Sequence, residues 1–231
     1  MGRSEFAYLI LFSLILGYVL AFPLTFTDPW LKWGMYAGFA FILLAVNLLA
    51  KKLSAYVLDC YVEQEPWTWQ RYWLYESAYW RRPVPVWLLW PIAIIWATLG
   101  RVKWLAITTF DVIPLQTKIR RRWSELTEWD IAVIAASGIA ANLLVAVVAA
   151  LLGYPEFAEI SMLFVFFNML PLPAYDGGKI LFGSKLFFSF VFIISIINLV
   201  LIYLKNPITT WISFCLLLLI LIVIFFSLRE K

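Results

Sequence analysis

The chain has no histidine, only two cysteines and few charged residues, and each shortage excludes a class of site or protein. Without histidine, imidazole nitrogens cannot hold a metal, although they are common ligands of zinc. Cys60 and Cys215 are too few for a CxxC site, and we expect both thiols to be reduced and structural. The sequence therefore predicts neither a bound metal nor another cofactor.

Charged residues occupy 14% of the 231 positions, whereas apolar residues occupy 64%. This composition provides several apolar runs long enough to cross a bilayer with a hydrocarbon core about 30 Å thick. The net charge of +4 comes from Lys and Arg concentrated in a few loops, which argues for membrane orientation and against a nucleic-acid partner. We predict an all-α polytopic protein of a prokaryotic plasma membrane, with the bilayer as a partner and no soluble small-molecule substrate.

Asn and Gln together number only eight. This scarcity fits a thermophilic, archaeal-like protein that avoids labile amides, but it fits any very apolar chain equally well.

Six apolar runs are predicted to span the membrane, namely 6–22, 31–50, 131–152, 158–173, 181–204 and 208–228. The fourth is short and ends in proline. The first is longer than the apolar part of a usual signal peptide and lacks a good cleavage site, so we predict a retained helix. Trp and Tyr beside charges at the ends of these runs are typical of interfacial belts.

A seventh apolar stretch, 84–110, is interrupted by Pro91, Gly100, Arg101 and Lys103. If it crossed the membrane once, the two main clusters of Lys and Arg would lie on opposite sides, contrary to the positive-inside rule. We therefore predict that it is re-entrant or forms short helices within the bundle, and that both termini are cytoplasmic.

The stretch 55–83 is too polar to span and too aromatic to be a disordered tail, so we predict a segment lying at the membrane surface. The RRRW run at 120–123 is predicted to be an orientation signal that also meets anionic lipid headgroups. The chain shows no internal repeat and no separate soluble domain, so we predict one membrane domain over 1–231 whose last part, 181–231, is a helix pair.

One informative motif is SGIAANLL, from Ser137 to Leu144. Gly138 permits close approach of another helix, and Asn142 projects from the same face one turn later. We predict that Asn142 either joins two helices by a hydrogen bond or binds the backbone of a peptide in a groove.

A second motif is NMLPLPAYDGGK, from Asn168 to Lys179. Pro171 and Pro173 end one helix, and Asp176 precedes the pair Gly177–Gly178 and a new helix. A carboxylate at such a break near the membrane is costly unless it has a partner.

The two motifs in this order resemble the site-2 protease family of intramembrane zinc metalloproteases. In that family a small-Gly-x-x-x-Asn element precedes Asn-x-x-Pro-x-Pro-x-x-Asp-Gly, whose Asp is a zinc ligand; residues 31–180 would form the family-like core. The resemblance implies a substrate groove lined by residues of both motifs, namely Gly138, Asn142, Asn168, Pro171, Pro173 and Gly177.

The family also carries His-Glu-x-x-His on an earlier helix, where the histidines bind zinc and the Glu activates water. The counterpart here is NLLAKKLSA, so Asn47 replaces the first His, Leu48 the Glu and Lys51 the second His. Only Asp176, Cys60, Asp59 and Glu63 could offer ligands, and an ammonium at the ligand position repels a metal. The resemblance implies that Asn47, Leu48, Lys51 and Asp176 are the positions of a lost active site, and we predict no catalytic residues.

If the fold is retained, Lys51 takes the place of the zinc and forms an ion pair with Asp176. The alternative is that Lys51 and Lys52 only mark the cytoplasmic end of a helix while Asp176 caps the next one.

The favoured function is a non-enzymatic scaffold or regulatory subunit that binds transmembrane helices of partner proteins in a complex. A transporter or channel component is the first alternative, suggested by the re-entrant segment and the break at Pro171. A protease with atypical ligands is the second, although neither Ser137 nor Ser161 has an evident base.

Overall fold

The computed structural model describes residues 3–23, 28–71, 79–114 and 126–229. Over these residues the chain is mostly helical, with short strands between the second and fourth helices. The helices are α1 (Arg3–Ala21), α2 (Pro29–Val57), α3 (Val86–Ala97), α4 (Glu128–Leu151), α5 (Pro155–Asn168), α6 (Asp176–Gly183), α7 (Lys185–Tyr203) and α8 (Pro207–Arg229). The strands are β1 (Cys60–Pro66), β2 (Trp69–Arg71), β3 (Tyr79–Val84) and β4 (Thr108–Pro114).

Four helices of the described chain, α2, α4, α7 and α8, are long and apolar enough to cross a membrane. This confirms a helical membrane protein but corrects the prediction of six spans. The run at 6–22 forms a shorter apolar helix, Glu5–Ala21, within α1. The run at 158–173 forms α5, whose 14 residues rise only about 21 Å.

The predicted fifth span, 181–204, is divided in two at Ser184. This residue is extended, with φ −164° and ψ 122°, and its hydroxyl accepts a hydrogen bond from the backbone N–H of Phe187. Ser184 is therefore the N-cap of α7 and ends α6, so the long helix begins at Lys185. A capping serine inside an apolar run is a local signal of a helix boundary. The continuous hydropathy of the run nevertheless led to the prediction of a single span.

The contacts divide the chain into two compact units. The first consists of Met1–Phe41 and Gln64–Thr109, and the second of Ile42–Glu63 and Phe110–Lys231.

In the first unit, α1 packs closely against the first part of α2. A Cβ atom added to Gly17 would lie 2.7 Å from the backbone of Ala37, so glycine is what permits this approach. The indole N–H of Trp33 donates to the carbonyl oxygen of Leu14 at 3.1 Å.

The stretch 84–110 forms α3 and an extended continuation, with a turn at Gly100, where φ is +84°. The 12 residues of α3 rise about 18 Å, which is too short to cross a bilayer. The ammonium of Lys103 donates to the carbonyl oxygen of Leu20 at 2.8 Å. The short helix α3 agrees with the prediction that this stretch forms short helices, while its re-entry into a membrane stays a prediction.

The aromatic stretch 55–83 contains strands, which the all-α prediction did not include. Strand β2 pairs antiparallel with β3, and β1 pairs with β4. The position of the stretch 55–83 at a membrane surface stays a prediction. The RRRW run at 120–123 lies outside the described residues.

In the second unit, α4 is the central helix and contacts α5, α6, α7 and α8. Within its most apolar window 72% of the residues are buried, against 22% for α8. The start of α4 is set by a capping box, in which Thr127 and Asp130 each accept a hydrogen bond from the backbone N–H of the other. The second unit is thus built around one buried helix.

Candidate functional site

Asn47 and Lys51 lie one turn apart on α2 and pack against Gly138 of α4. A Cβ atom added to Gly138 would lie 2.6 Å from Cε of Lys51 and 2.9 Å from Nδ2 of Asn47. Any larger residue would push against both side chains, because real Cβ atoms do not approach other atoms this closely. Gly138 therefore provides the space that Asn47 and Lys51 occupy.

Lys51 forms an ion pair with Asp176, as predicted. Its Nζ atom lies 2.7 Å from Oδ1 of Asp176 and donates a hydrogen bond to it. Lys51 is 5% exposed and Asp176 3%, so both charges are removed from solvent. The alternative that Asp176 caps a helix is wrong in detail, because the N-cap of α6 is Tyr175 and no side chain provides its cap hydrogen bond.

Two glycines hold Asp176 in place at the start of α6. A Cβ atom at Gly177 would collide with the carbonyl oxygen of Met169, and one at Gly178 with that of Leu172. The helix can begin against the preceding turn only because these residues have no side chain. The Gly–Gly pair of the motif therefore allows the backbone of α6 to pack closely against the preceding turn.

Phe110 of β4 lies beside the ion pair and was not predicted to belong to the site. Its ring centroid is 4.4 Å from Nζ of Lys51 and 3.7 Å from Nζ of Lys179, so two ammonium groups contact one aromatic ring. Lys179 also lies 3.9 Å from the carboxylate of Asp111. The sequence signal for Lys179 was its position three residues after Asp176 in a helix, whereas nothing local connects Phe110 to Lys51.

Three side chains of the site have buried polar atoms without a hydrogen-bond partner among the described residues. They are Nδ2 of Asn47, both polar atoms of the Asn142 side chain, and Oδ2 of Asp176. Asn142 is 0% exposed, and neither polar atom of its side chain has a partner among the described residues. A helix-joining hydrogen bond from Asn142, or its binding of a peptide backbone, therefore stays a prediction.

The other predicted residues divide between the interior and the surface. Asn168 is buried at the end of α5 and donates to the carbonyl oxygen of Phe164 at 2.8 Å. Leu48, at the position of the family's Glu, is 3% exposed. Pro171 and Pro173 are exposed in the turn before α6. Of the predicted groove, only this turn is accessible.

The residues at the site do not fit zinc. Lys51 stands at the position of the family's second His, and its ammonium already donates to Oδ1 of Asp176, the carboxylate that the resemblance assigns to the metal. Across the described ranges, no group of three or more His, Cys, Asp or Glu could hold a metal ion. The thiol of Cys60 lies near the carbonyl oxygen of Leu58, at 3.3 Å.

Two serines predicted to lack a base donate their hydroxyl protons within their own helices. Ser137 donates to the carbonyl oxygen of Ile134 and Ser161 to that of Phe157, both at 2.7 Å. Neither geometry activates a nucleophile, because that requires a base that accepts the hydroxyl proton.

Scans of protein-family models, of curated proteins and of solved structures find no match to this chain. The resemblance to the site-2 protease family therefore depends on the two sequence motifs alone.

Proposed function

We propose that this chain is a non-catalytic integral membrane protein of the site-2 protease type, which acts as a scaffold or regulatory subunit and binds transmembrane helices of partner proteins. The observation that carries the proposal is the Lys51–Asp176 pair, with Nζ and Oδ1 2.7 Å apart. It supports a site in which a positive side chain has replaced the metal ion as the counterion of the carboxylate.

The chemistry of the site favours a binding role over hydrolysis. An intramembrane metalloprotease needs a metal-bound water and a carboxylate that activates it. Here Leu48 stands at the position of that carboxylate, and Asp176 is engaged with Lys51. No group near the pair is arranged to generate a nucleophile among the residues described.

The surface proposed for a partner helix is the exposed turn between α5 and α6. Pro171 and Pro173 restrict its backbone, and Leu172 between them is 39% exposed. This turn is rigid and apolar, and it lies next to the buried polar site. If the fold descends from one that admitted a substrate helix, a partner helix would bind at the same place.

Site-specific photocrosslinking tests this surface. A photoreactive residue at position 172 is expected to capture a protein that has a transmembrane helix, in native membranes and after mild solubilisation. The matched control is position 219 on α8, where Leu219 is 47% exposed and faces outward from the unit. Equal capture at both positions, or a monomer that crosslinks only to lipid, would contradict the proposal.

Metal analysis separates this proposal from an atypical metalloprotease. About one zinc per purified chain would overturn the scaffold function.

A transporter or channel component is the second candidate, favoured by the buried charges and unpaired amides around α4. Polar groups inside a membrane bundle commonly mark a path for ions or substrates. Ion or proton flux into proteoliposomes that contain the purified chain, above that of empty liposomes, would support this function instead of the scaffold.

A further inference from the structure

The buried polar atoms that lack a partner among the described residues belong to Asn47, Asn142 and Asp176, all in the second unit. These residues are 6%, 0% and 3% exposed, so bulk solvent does not reach them. Among the described residues, no other buried side-chain nitrogen or oxygen lacks a hydrogen-bond partner. The shortage of partners is therefore a property of this place in the fold and not of the bundle in general.

Packing brings these residues together around Gly138. The Nδ2 atom of Asn47 and the Cε atom of Lys51 both contact the space in front of Gly138, and Lys51 holds Asp176. Asn142 follows Gly138 by one turn on the same face of α4. From this periodicity we place Asn142 of α4 in the same region as Asn47 of α2 and Asp176 of α6, and we call these three residues the cluster.

Other buried amides of the same unit show how this chain pairs such groups when it can. The side-chain amide of Asn168 donates to the carbonyl oxygen of Phe164, and that of Asn198 to the carbonyl oxygen of Ile194. Asn198 also accepts a hydrogen bond from the hydroxyl of Ser213. Asn142, by contrast, makes no such bond to the turn that precedes it.

The chemistry of the cluster selects its ligand. The amide nitrogens of Asn47 and Asn142 can only donate, whereas Oδ1 of Asn142 and Oδ2 of Asp176 can only accept. A ligand that satisfies them must both donate and accept while being small enough for a packed interior, and the ammonium of Lys51 repels a cation. Water has these properties and makes about three hydrogen bonds when buried.

We infer that this cluster is an internal water site, in which one or more ordered water molecules bridge the amides of Asn47 and Asn142 to the free carboxylate oxygen of Asp176. Water bound there supplies Asp176 with the second hydrogen bond that its carboxylate lacks. It thereby reduces the cost of keeping the Lys51–Asp176 pair away from bulk solvent. The site does not depend on the scaffold function, since the same groups need water in any role of the protein.

Solid-state NMR of the full chain in lipid bilayers tests the water site. The chain has five asparagines, so labelling only asparagine with ¹³C and ¹⁵N yields five side-chain amides, each linked through its own carbons to a backbone nitrogen. Each asparagine follows a different residue type, so labelling one preceding carbonyl type at a time assigns that backbone nitrogen, and with it the side chain, without substitution; the preceding residues are Val46, Ala141, Phe167, Ile197 and Lys205.

Magnetisation is expected to pass from water to the side-chain amides of Asn47 and Asn142. Asn168 and Asn198, which are paired and buried, are the dry controls, and Asn206 in the exposed turn before α8 is the hydrated control. Transfer to Asn142 no greater than that to Asn198, while Asn206 gives a clear signal, would overturn the water site.

The variant Asn142→Leu gives a second readout with opposite signs for a wet and a dry site. If water binds the amide, the substitution removes those hydrogen bonds and lowers the unfolding temperature. If the amide is dry and unpaired, an apolar side chain of similar size raises that temperature. Should the variant fail to fold, the NMR measurement on the unsubstituted chain decides the question.

Discussion

The Lys51–Asp176 pair predicts a double-mutant cycle with strong coupling. With Nζ and Oδ1 2.7 Å apart, the Coulomb attraction is on the order of 6 kcal/mol at an effective dielectric constant near 20. Desolvation opposes this attraction by several kcal/mol for each ion. The pair as a whole therefore contributes little to the free energy of unfolding, but either charge left alone in the interior is costly.

Lys51→Met leaves the carboxylate of Asp176 buried without its counterion, and we expect a loss of about 3–5 kcal/mol in the free energy of unfolding. Asp176→Asn leaves the ammonium of Lys51 buried, with a similar expected loss. The double variant removes both charges and is expected to lie within about 2 kcal/mol of the parent chain, since neutral replacements of buried pairs are often tolerated.

The assay is reversible unfolding of the purified chain in mixed micelles, followed across a denaturing-detergent titration for the parent and the three variants. Lys52→Met is the matched control, because Lys52 is the next residue of α2 and is only half-buried; its ammonium lies 5.1 Å from the ring centroid of Tyr61. A loss of less than about 1 kcal/mol is expected there. Additive losses from the two single substitutions, or an equal loss in the control, would refute the coupling.

Two further predictions test the packing at Gly138 and the ion pair between Lys205 and Glu159. Gly138→Ala is expected to lower the free energy of unfolding by about 1–3 kcal/mol because its Cβ atom lacks space, whereas Gly38→Ala, with open space around it, should change stability by less than about 1 kcal/mol. The same detergent titration measures both, and equal effects would contradict the packing argument. A hydrogen bond with Glu159 raises the pKa of Lys205 above 10.5, so its stabilising contribution is complete below pH 10.5 and is lost as the pH rises through the higher folded value. The difference in unfolding midpoint between the parent chain and Lys205→Met should therefore shrink in strongly alkaline buffer, and a difference independent of pH would exclude this ion pair as its cause.

The apolar runs predicted the class of protein but not the number of long helices. Hydropathy is nearly continuous through 181–204, yet the cap at Ser184 and the close packing of Gly183 separate α6 from α7. A Cβ atom at Gly183 would lie 2.6 Å from the carbonyl oxygen of Glu128, which shows how closely α6 approaches the start of α4. Such an approach depends on a distant segment, and a window of neighbouring residues carries no information about it.

Composition and local chemistry alone determined that the chain belongs in a membrane, that imidazole ligands are excluded, and that a helix ends before Pro171. The ordered motifs also predicted the pairing of Lys51 with Asp176, which lie 125 residues apart. Only the tertiary structure placed Phe110 against two ammonium groups and left the amide of Asn142 buried without a partner in the described part of the chain. The physical reason is that transfer to a bilayer depends on the side chains of one segment, whereas contact and hydrogen bonding depend on which distant segments packing brings together.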